Sequence, residues 1–218
     1  MAAEIPGPHS GAQVLHTGQP LEQAGAVMIM VHGRGATAES ILSLSESLPH
    51  PAFAYLAPQA NGNQWYPNSF LAPINSNEPC LSSSFAVIEA VLAYVEEAGI
   101  SSERIFLLGF SQGACLTLEF VARHARRYGG VAGLSGGLIG PEGTPRNYPG
   151  NLEGTPVFLG CSDIDFHIPK ARVIETDHIL TTVGGSVTTR IYPKMGHTIN
   201  DDEIEFVRSM MGEMAANV

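Results

Sequence analysis

The sequence predicts an α/β fold in which a mostly parallel, twisted sheet is covered by helices on both faces. Two observations support this prediction. Short apolar runs alternate along the chain with longer segments of helical periodicity, and most of these apolar runs are continuous. A continuous apolar run is typical of a strand that is buried on both faces. Alternation of strands and helices is typical of a parallel sheet, because each pair of parallel strands needs a crossover connection.

Seven strands are predicted, and the first of them, the least apolar, is expected at an edge of the sheet. They cover residues 12–17, 26–31, 52–57, 104–110, 131–135, 156–160 and 187–192. Ligand sites in open parallel sheets lie outside the carboxyl ends of the strands. The residues that come after each strand are therefore the first candidates for a functional site.

Five helices are predicted between and after the strands. One has an apolar stripe and ends at Gly99, and another begins at Pro169 and ends near Gly184. Asn200 is predicted as the N-cap of the last helix, whose first turn is acidic and so complements the helix dipole. The helix that ends at Gly99 covers residues 83–98, and the remaining two helices cover residues 39–48 and 112–128.

Length and composition limit the classes of protein that fit this chain. The 218 residues suit one domain, which we assign to residues 1–218. Apolar residues make up 44% and charged residues 15%, which excludes a disordered or coiled-coil protein. The formal net charge of −10 would repel a phosphate backbone, so we expect no binding to nucleic acid. Three cysteines at unrelated spacings predict neither a disulfide framework nor a zinc site.

The sequence also bears on location and assembly. Residues 1–10 lack the basic start and apolar run of a signal peptide. The longest clearly apolar run, residues 24–31, is far shorter than the roughly 20 residues of a membrane span. We therefore expect a cytoplasmic protein without a transmembrane segment. A homodimer that forms through an apolar patch is compatible with the sequence.

Two segments match the G-x-S-x-G pattern of a nucleophile elbow, in which a serine lies on a sharp turn from a strand into a helix. Residues 109–113 read GFSQG around Ser111, and residues 133–137 read GLSGG around Ser135. Ser111 comes after an apolar strand and precedes a predicted helix. The glycines and the proline after Ser135 cannot begin a helix. We therefore predict Ser111 as a nucleophile and Ser135 as part of a tight turn.

A serine hydroxyl needs a base to act as a nucleophile at neutral pH. After an elbow of this kind the chain supplies an acid and then a histidine. His197 comes after the last strand, at its carboxyl end, and is predicted as the base. His178 falls within a predicted helix, and His167 lies in a loop beside the candidate acids.

The acid is expected after the strand over residues 156–160, where Asp163 and Asp165 both occur. The two carboxylates are two residues apart, and spacing alone does not choose between them. A metal site made of Asp163, Asp165 and His167 is the alternative use of this segment. No second cluster of ligands accompanies it, so we predict no metal.

An oxyanion hole needs two backbone N–H groups. Gln112, the residue after the candidate nucleophile, supplies one. The loop after the second strand reads HGRG over residues 32–35, and the N–H of Arg34 is the second candidate. The Arg34 side chain has two interpretations: a surface arginine, or a contact to an anionic part of a substrate.

The long loop over residues 58–79 carries the candidate substrate-binding residues, which are Trp65, Tyr66, Phe70 and Leu71. Trp65, the only tryptophan in the chain, is either a wall of the acyl pocket or an anchor for the loop. The stretch that begins at Phe70 is apolar and would form a rim of the pocket.

Four segments together resemble the phospholipase/carboxylesterase family, which has the α/β-hydrolase fold and includes acyl-protein thioesterases. They are residues 31–35 (VHGRG), 109–114 (GFSQGA), 165–169 (DFHIP) and 196–197 (GH). The resemblance implies a fold without a large cap domain and a reaction without metal or organic cofactor. It also implies that Asp165 is the acid, because the family's acid typically stands four residues before the proline of a D-x-x-V-P segment.

We therefore predict a serine carboxylesterase that hydrolyses short- to medium-chain esters through Ser111, His197 and Asp165 and an acyl-enzyme. Its partner is a small-molecule ester or thioester substrate. The alternative is an acyl-protein thioesterase or lysophospholipase that uses the same triad. A non-catalytic binding module of the same fold would lack a member of the triad, and none is missing here.

Overall fold

The computed structural model describes residues 5–216 of the chain. These residues fold around a seven-stranded sheet. The strands are β1 (Val14–Gly18), β2 (Ala26–Val31), β3 (Phe53–Pro58), β4 (Ile105–Phe110), β5 (Gly130–Leu134), β6 (Pro156–Ser162) and β7 (Ser186–Tyr192). Their order across the sheet is β1-β3-β2-β4-β5-β6-β7. β1 runs antiparallel to β3 at one edge, and all other neighbours are parallel. The predicted mostly parallel sheet and its edge strand are confirmed.

Residues 1–4 and 217–218, which belong to the predicted 1–218 domain, lie outside the described residues, and so does the first part of the segment considered as a signal peptide. Within the described residues, none of the helices combines the length and the apolar character that a membrane crossing requires.

In the described part of the chain, five α-helices cover both faces of the sheet, as predicted. They are α1 (Ala38–Leu42), α2 (Cys80–Glu97), α3 (Gln112–Arg123), α4 (Lys170–Thr182) and α5 (Asp201–Ala216). Alternate side chains of β2 enter different cores: Val27 and Ile29 pack with α2, α3 and α4, whereas Met28 and Met30 pack with α1 and α5. Both faces of the central strands are therefore buried, which explains their continuous apolar sequences.

The helix predicted over residues 39–48 is two shorter elements. α1 ends at Leu42, and a 3₁₀ turn continues over Ser43–Ser47. The Ser43 hydroxyl donates a hydrogen bond of 2.8 Å to the carbonyl of Ser40. Serine side chains compete with the backbone for such partners, which weakens an α-helix in a serine-rich segment.

α3 ends at Arg123, five residues before the predicted end at residue 128. His124 leaves the helical conformation, with φ −115° and ψ 47°. Beyond it, Ala125 forms a β-bridge with Gly150, and the Tyr128 N–H donates to the Thr155 hydroxyl at 2.9 Å. These partners are distant in sequence, so tertiary contacts rather than local propensity end the helix. α2, in turn, begins at Cys80 instead of residue 83.

The parallel strands place all the candidate segments at one edge of the sheet. The HGRG loop comes after β2, the first G-x-S-x-G segment ends β4 and enters α3, the candidate acids come after β6, and His197 comes after β7. Because the carboxyl ends of parallel strands point in one direction, segments that are far apart in sequence converge there.

Candidate active site

Ser111 occupies a strained turn between β4 and α3, with φ 56° and ψ −120°. Left-handed backbone of this kind is uncommon for a residue other than glycine and clusters at functional sites. The turn needs glycine at both flanks. A Cβ atom at Gly109 would lie 2.4 Å from the carbonyl oxygen of Gly113, and one at Gly113 would lie 2.1 Å from that of Val31. The turn thus holds Ser111 at the N-terminus of α3, where helix N–H groups favour negative charge.

The structure brings Ser111, His197 and Asp165 together in one hydrogen-bonded series. The Ser111 Oγ lies 2.8 Å from His197 Nε2, and His197 Nδ1 lies 2.7 Å from Asp165 Oδ2. An ionised Asp165 accepts a hydrogen bond from Nδ1–H, which leaves Nε2 free to accept the proton of the serine hydroxyl. The Phe110 and His167 rings pack near the imidazole, with ring centroids 5.1 Å and 4.8 Å away, and limit its rotation.

Asp165 is buried, and its second oxygen accepts two backbone hydrogen bonds. The N–H groups of His167 and Ile168 donate to Oδ1 at 2.8 Å and 3.1 Å. Burial raises the pKa of Asp165, but hydrogen bonds from His197, His167 and Ile168 outweigh it and leave the pKa below its ordinary value. The carboxylate therefore stays ionised beside the imidazole at neutral pH.

Asp163, the other acid candidate, has a different partner from Asp165. Its Oδ1 accepts the N–H of Lys194 at 2.7 Å, in the loop that leads to His197. Asp163, Asp165 and His167 do not form a metal-binding group: residues 5–216 contain no group of three or more His, Cys, Asp or Glu side chains placed to hold an ion.

The HGRG loop lies directly against the nucleophile. A Cβ atom at Gly33 would be 3.3 Å from the Cβ of Ser111. His32 is fully buried, and its Nε2 accepts the N–H of Ala60 at 3.1 Å, so its Nδ1–H donates to the Gly33 carbonyl at 2.8 Å. Burial lowers the pKa of His32, which favours the neutral ring that these two hydrogen bonds require. The His32 ring thus connects the HGRG loop to the loop that comes after β3.

The Arg34 side chain ties its own loop to the neighbouring loop. Its guanidinium donates to Gln64 Oε1 at 3.0 Å and to the carbonyls of Pro67 and Asn68 at 2.8 Å and 2.7 Å. It also lies 5.9 Å from the centroid of the Tyr66 ring. Of the two interpretations of Arg34, these contacts favour a structural role at the mouth of the site.

A cleft of about 390 Å³ opens beside Ser111. Tyr66 and Phe70, both predicted to bind substrate, line it. Trp65 and Leu71, which are also predicted to bind substrate, do not line it. The lining residues are Arg34, Tyr66, Pro67, Asn68, Ser69, Phe70, Ser111, Gln112, Cys115, His167, Ile168 and His197.

Trp65 is an anchor for the loop rather than a wall of the cleft. Its side chain is fully buried, and its Nε1–H donates to the His32 carbonyl at 2.9 Å. Its backbone N–H donates to Gln112 Oε1, also at 2.9 Å. Leu71 is half-buried and packs against the hydrophobic core.

Cys115 also lines the cleft, one helical turn after Ser111 on α3, at a position where the sequence predicts a small buried apolar residue. Burial raises the pKa of its thiol to about 12, so Cys115 contributes an apolar surface rather than a thiolate. Sequence reasoning missed Pro67, Asn68 and Ser69, because the path of their loop depends on distant contacts.

The other sequence candidates lie away from this chemistry. Ser135 also has positive φ, 52°, but it is fully buried and no helix comes directly after it. His178 is exposed on α4. Both positions agree with their predicted structural roles.

Comparisons with known proteins identify the family of this chain. The sequence model of the Phospholipase/Carboxylesterase family matches residues 12–214. The crystal structure of a phospholipase/carboxylesterase from Dyadobacter fermentans superposes with a TM-score of 0.89, at 44% sequence identity over 92% of this chain and 96% of that one.

Curated relatives point to the same family. Acyl-protein thioesterase 1 of Kluyveromyces lactis is 32% identical over 180 residues, which are 74% of this chain and 78% of that protein. A probable carboxylesterase, SOBER1-like, of Arabidopsis thaliana is 26% identical over 139 residues, or 62% of this chain. The chain spans about half of the length of that relative, 52%. These matches confirm the predicted resemblance: the chain belongs to the phospholipase/carboxylesterase family and has its α/β-hydrolase fold.

Proposed function

We propose that this protein is a serine carboxylesterase that hydrolyses short- to medium-chain carboxylic esters of small molecules. The observation that carries the proposal is the hydrogen-bonded series from Ser111 through His197 to Asp165, with distances of 2.8 Å and 2.7 Å. A serine in such a series has the base that it needs to act as a nucleophile. The carboxylesterases among the relatives support the same reaction class.

Acylation begins when the Ser111 Oγ attacks the carbonyl carbon of the ester and His197 Nε2 takes the hydroxyl proton. The carbonyl π electrons move onto oxygen, where the backbone N–H groups of Arg34 and Gln112 stabilise the negative charge. Asp165 keeps the imidazole in the reactive tautomer and stabilises the imidazolium without taking its proton.

The tetrahedral intermediate then collapses. Its C–O bond to the leaving group breaks, and His197 gives its proton to the departing alkoxide. A water molecule that loses a proton to His197 attacks the acyl-enzyme, and release of the carboxylic acid returns the proton to the Ser111 oxygen. Protein side chains and water supply the nucleophiles and carry the protons in every step, so the proposed reaction uses no metal and no organic cofactor.

The size of the cleft supports the proposed range of acyl chains. Its volume of about 390 Å³ lies towards the small end of the roughly 300–1,000 Å³ of ligand pockets. Tyr66, Phe70 and Ile168 supply apolar walls, whereas Asn68 and Ser69 are polar. Such a lining suits a short acyl chain better than a long one.

The test is release of p-nitrophenol from p-nitrophenyl acetate, butyrate and octanoate, with EDTA present throughout. Ser111→Ala removes the nucleophile, and Ser135→Ala is the matched control from the second G-x-S-x-G segment. We expect turnover by the wild type and by Ser135→Ala that is lost in Ser111→Ala. A folded wild type without turnover, or equal turnover by both alanine variants, would contradict the proposal.

Leaving-group preference separates the esterase from the alternative. Acid release from ethyl butyrate and from its thioester analogue compares an alkoxide with a thiolate leaving group at constant acyl chain. A palmitoyl thioester and lysophosphatidylcholine extend the comparison to long chains. We expect the butyrate ester to exceed both long-chain substrates in kcat/KM, and the reverse order would favour an acyl-protein thioesterase or lysophospholipase.

A further inference from the structure

A short N-terminal segment, residues 5–11, precedes the region that the family model matches and packs against the active-site loop. The His9 N–H donates to the Ser83 hydroxyl at 2.9 Å, and that hydroxyl donates to the Pro6 carbonyl at 2.7 Å. The Asn61 side-chain amide donates to the Pro8 carbonyl at 3.0 Å. These bonds fix the segment between α2 and the loop that carries Trp65.

His9 is buried in this segment, at 2% exposure, and both of its ring nitrogens have partners. The N–H of Asn61 donates to Nδ1 at 3.1 Å, so Nδ1 carries no proton. Nε2–H therefore donates to the Trp65 carbonyl at 2.9 Å. The His9 and Trp65 rings also pack together, with centroids 5.6 Å apart. Burial lowers the pKa of His9, which favours the neutral ring that makes both bonds.

Trp65 connects His9 to both segments of the proposed oxyanion hole. Its Nε1–H bonds to the His32 carbonyl at 2.9 Å, two residues before Arg34. Its backbone N–H bonds to Gln112 Oε1 at 2.9 Å, and Gln112 Nε2 donates in return to the Tyr66 carbonyl at 2.8 Å. Trp65 thus contacts the backbone of the segment that carries one proposed donor and the side chain of the residue that carries the other.

We propose that His9 is a positioning residue for the oxyanion hole. It holds Trp65 in place, and Trp65 in turn aligns the Arg34 and Gln112 segments. The inference rests on the proposed esterase function. An oxyanion hole is effective because its donors are already oriented when the negative charge develops. A small misplacement of such donors lowers the rate of the chemical step more than it lowers the binding of substrate.

The fold does not depend on His9 alone, which makes the inference testable. The Ser84 hydroxyl lies 2.7 Å from the Trp65 carbonyl and 2.8 Å from that of Cys80. The Trp65 carbonyl thus keeps a neighbouring donor when His9 is replaced, and the loop is expected to stay packed. The loop would, however, lose the contact to the imidazole that sets its exact orientation.

Two variants separate the bond to Trp65 from the other contacts of His9. His9→Asn keeps an acceptor near the position of Nδ1 for the Asn61 N–H but is too short to reach the Trp65 carbonyl. His9→Gln carries an N–H donor that reaches it. His16→Gln, at an exposed histidine of β1, is the control. Competent active sites are counted by exhaustive labelling with a fluorophosphonate, so that kcat is expressed per site.

The readouts are kcat and KM for p-nitrophenyl butyrate and inhibition by a trifluoromethyl ketone, whose adduct with Ser111 carries an oxyanion. We expect His9→Asn to lower kcat about tenfold and to leave KM within about twofold of the wild-type value. Inhibition by the ketone should weaken by about the same factor as kcat. His9→Gln should regain most of the wild-type kcat and most of the inhibition by the ketone, and His16→Gln should match the wild type in both.

Three results would overturn the inference: a wild-type kcat per site in His9→Asn, a lower kcat with unchanged ketone inhibition, or equal losses in the asparagine and glutamine variants. If the His9 variants do not fold, Trp65→Phe removes the bond to the His32 carbonyl and leaves a smaller ring in the place of the indole, and the same two readouts then decide. A wild type without turnover would remove the proposed function and this inference with it, whereas an active wild type with unaffected variants removes the inference alone.

Discussion

Asp163 and Asp165 are two residues apart and support the same loop, but only Asp165 reaches the imidazole. The Asp165 Oδ2 lies 2.7 Å from His197 Nδ1, whereas the Asp163 Oδ1 accepts the N–H of Lys194, also at 2.7 Å. One carboxylate therefore orients the His197 ring, and the other holds the backbone three residues earlier. Their different partners lead to different expected effects of substitution.

Asp165→Asn should lower kcat on p-nitrophenyl butyrate by about 10⁴, because an amide cannot hold the imidazole in the reactive tautomer or stabilise its charge. Asp163→Asn should cost less than about tenfold, since asparagine keeps an oxygen that accepts the Lys194 N–H. The comparison uses kcat per labelled active site, with thermal unfolding as the check on folding. A larger loss in Asp163→Asn would show that Asp165 is not the acid.

Gly113→Ala should destabilise the protein by about 3 kcal/mol or more, beyond the usual cost of overpacking. Its Cβ would lie 2.1 Å from the Val31 carbonyl oxygen and 2.5 Å from that of His32. These are backbone atoms, which cannot move aside without disturbing β2 and the loop after it. Gly212→Ala on α5 is the control, because its Cβ meets nothing within 4 Å. Alanine there should stabilise the helix by about 0.5–1 kcal/mol. Urea unfolding measures both, and similar stabilities of the two variants would contradict the prediction.

Glu203 is a buried carboxylate at the start of the helix after His197. Its Oε2 accepts the Asn200 N–H at 2.9 Å, and Asn200 Oδ1 accepts the Glu203 N–H at the same distance, so the predicted N-cap is confirmed. Its Oε1 has no hydrogen-bond partner among the described residues. Burial raises the pKa of Glu203 from 4.5 to about 7, against the opposing bond from Asn200.

This shift predicts how stability depends on pH. Between pH 4.5 and 7 the folded protein keeps a proton on Glu203 that the unfolded chain has lost, so the free energy of unfolding falls by about 1.4 kcal/mol for each unit that pH rises. Glu203→Gln cannot ionise and lacks this dependence. From pH 5 to pH 8 the variant should therefore gain about 3 kcal/mol relative to the wild type in urea unfolding. Parallel pH curves for the two proteins would exclude the raised pKa.

Arg34→Ala should raise KM roughly threefold to tenfold, because it removes the bonds that hold Pro67 and Asn68 in the wall of the cleft. Arg34→Lys keeps the charge but not the forked geometry and should resemble the alanine variant. The measurement compares p-nitrophenyl butyrate with a p-nitrophenyl ester whose acyl chain ends in a carboxylate. Equal effects on both esters are expected. Selective loss of the anionic ester, with recovery in Arg34→Lys, would instead assign Arg34 a contact to substrate.

Local patterns predict much of the fold and part of the site. The central strands are predicted within two residues because burial on both faces demands continuous apolar runs, as in β2 and β4. Ser111 is distinguished from Ser135 by the residues directly after each serine, since a helix begins after only one of them. The parallel topology then accounts for the meeting of Ser111 and His197, which are 86 residues apart.

Other features depend on which distant partner a side chain meets. Spacing cannot separate Asp163 from Asp165, because the choice is made by the path of the loop after β7. The anchoring role of Trp65 depends on His32 and Gln112, 33 and 47 residues away, and the contact of His9 reaches it from 56 residues earlier. Apolar periodicity and the positions of glycines are properties of short segments of the sequence, so they determine strands, helices and turns. The direction of a buried polar side chain is set by the partner that satisfies its hydrogen bond, and only the folded chain brings that partner within reach.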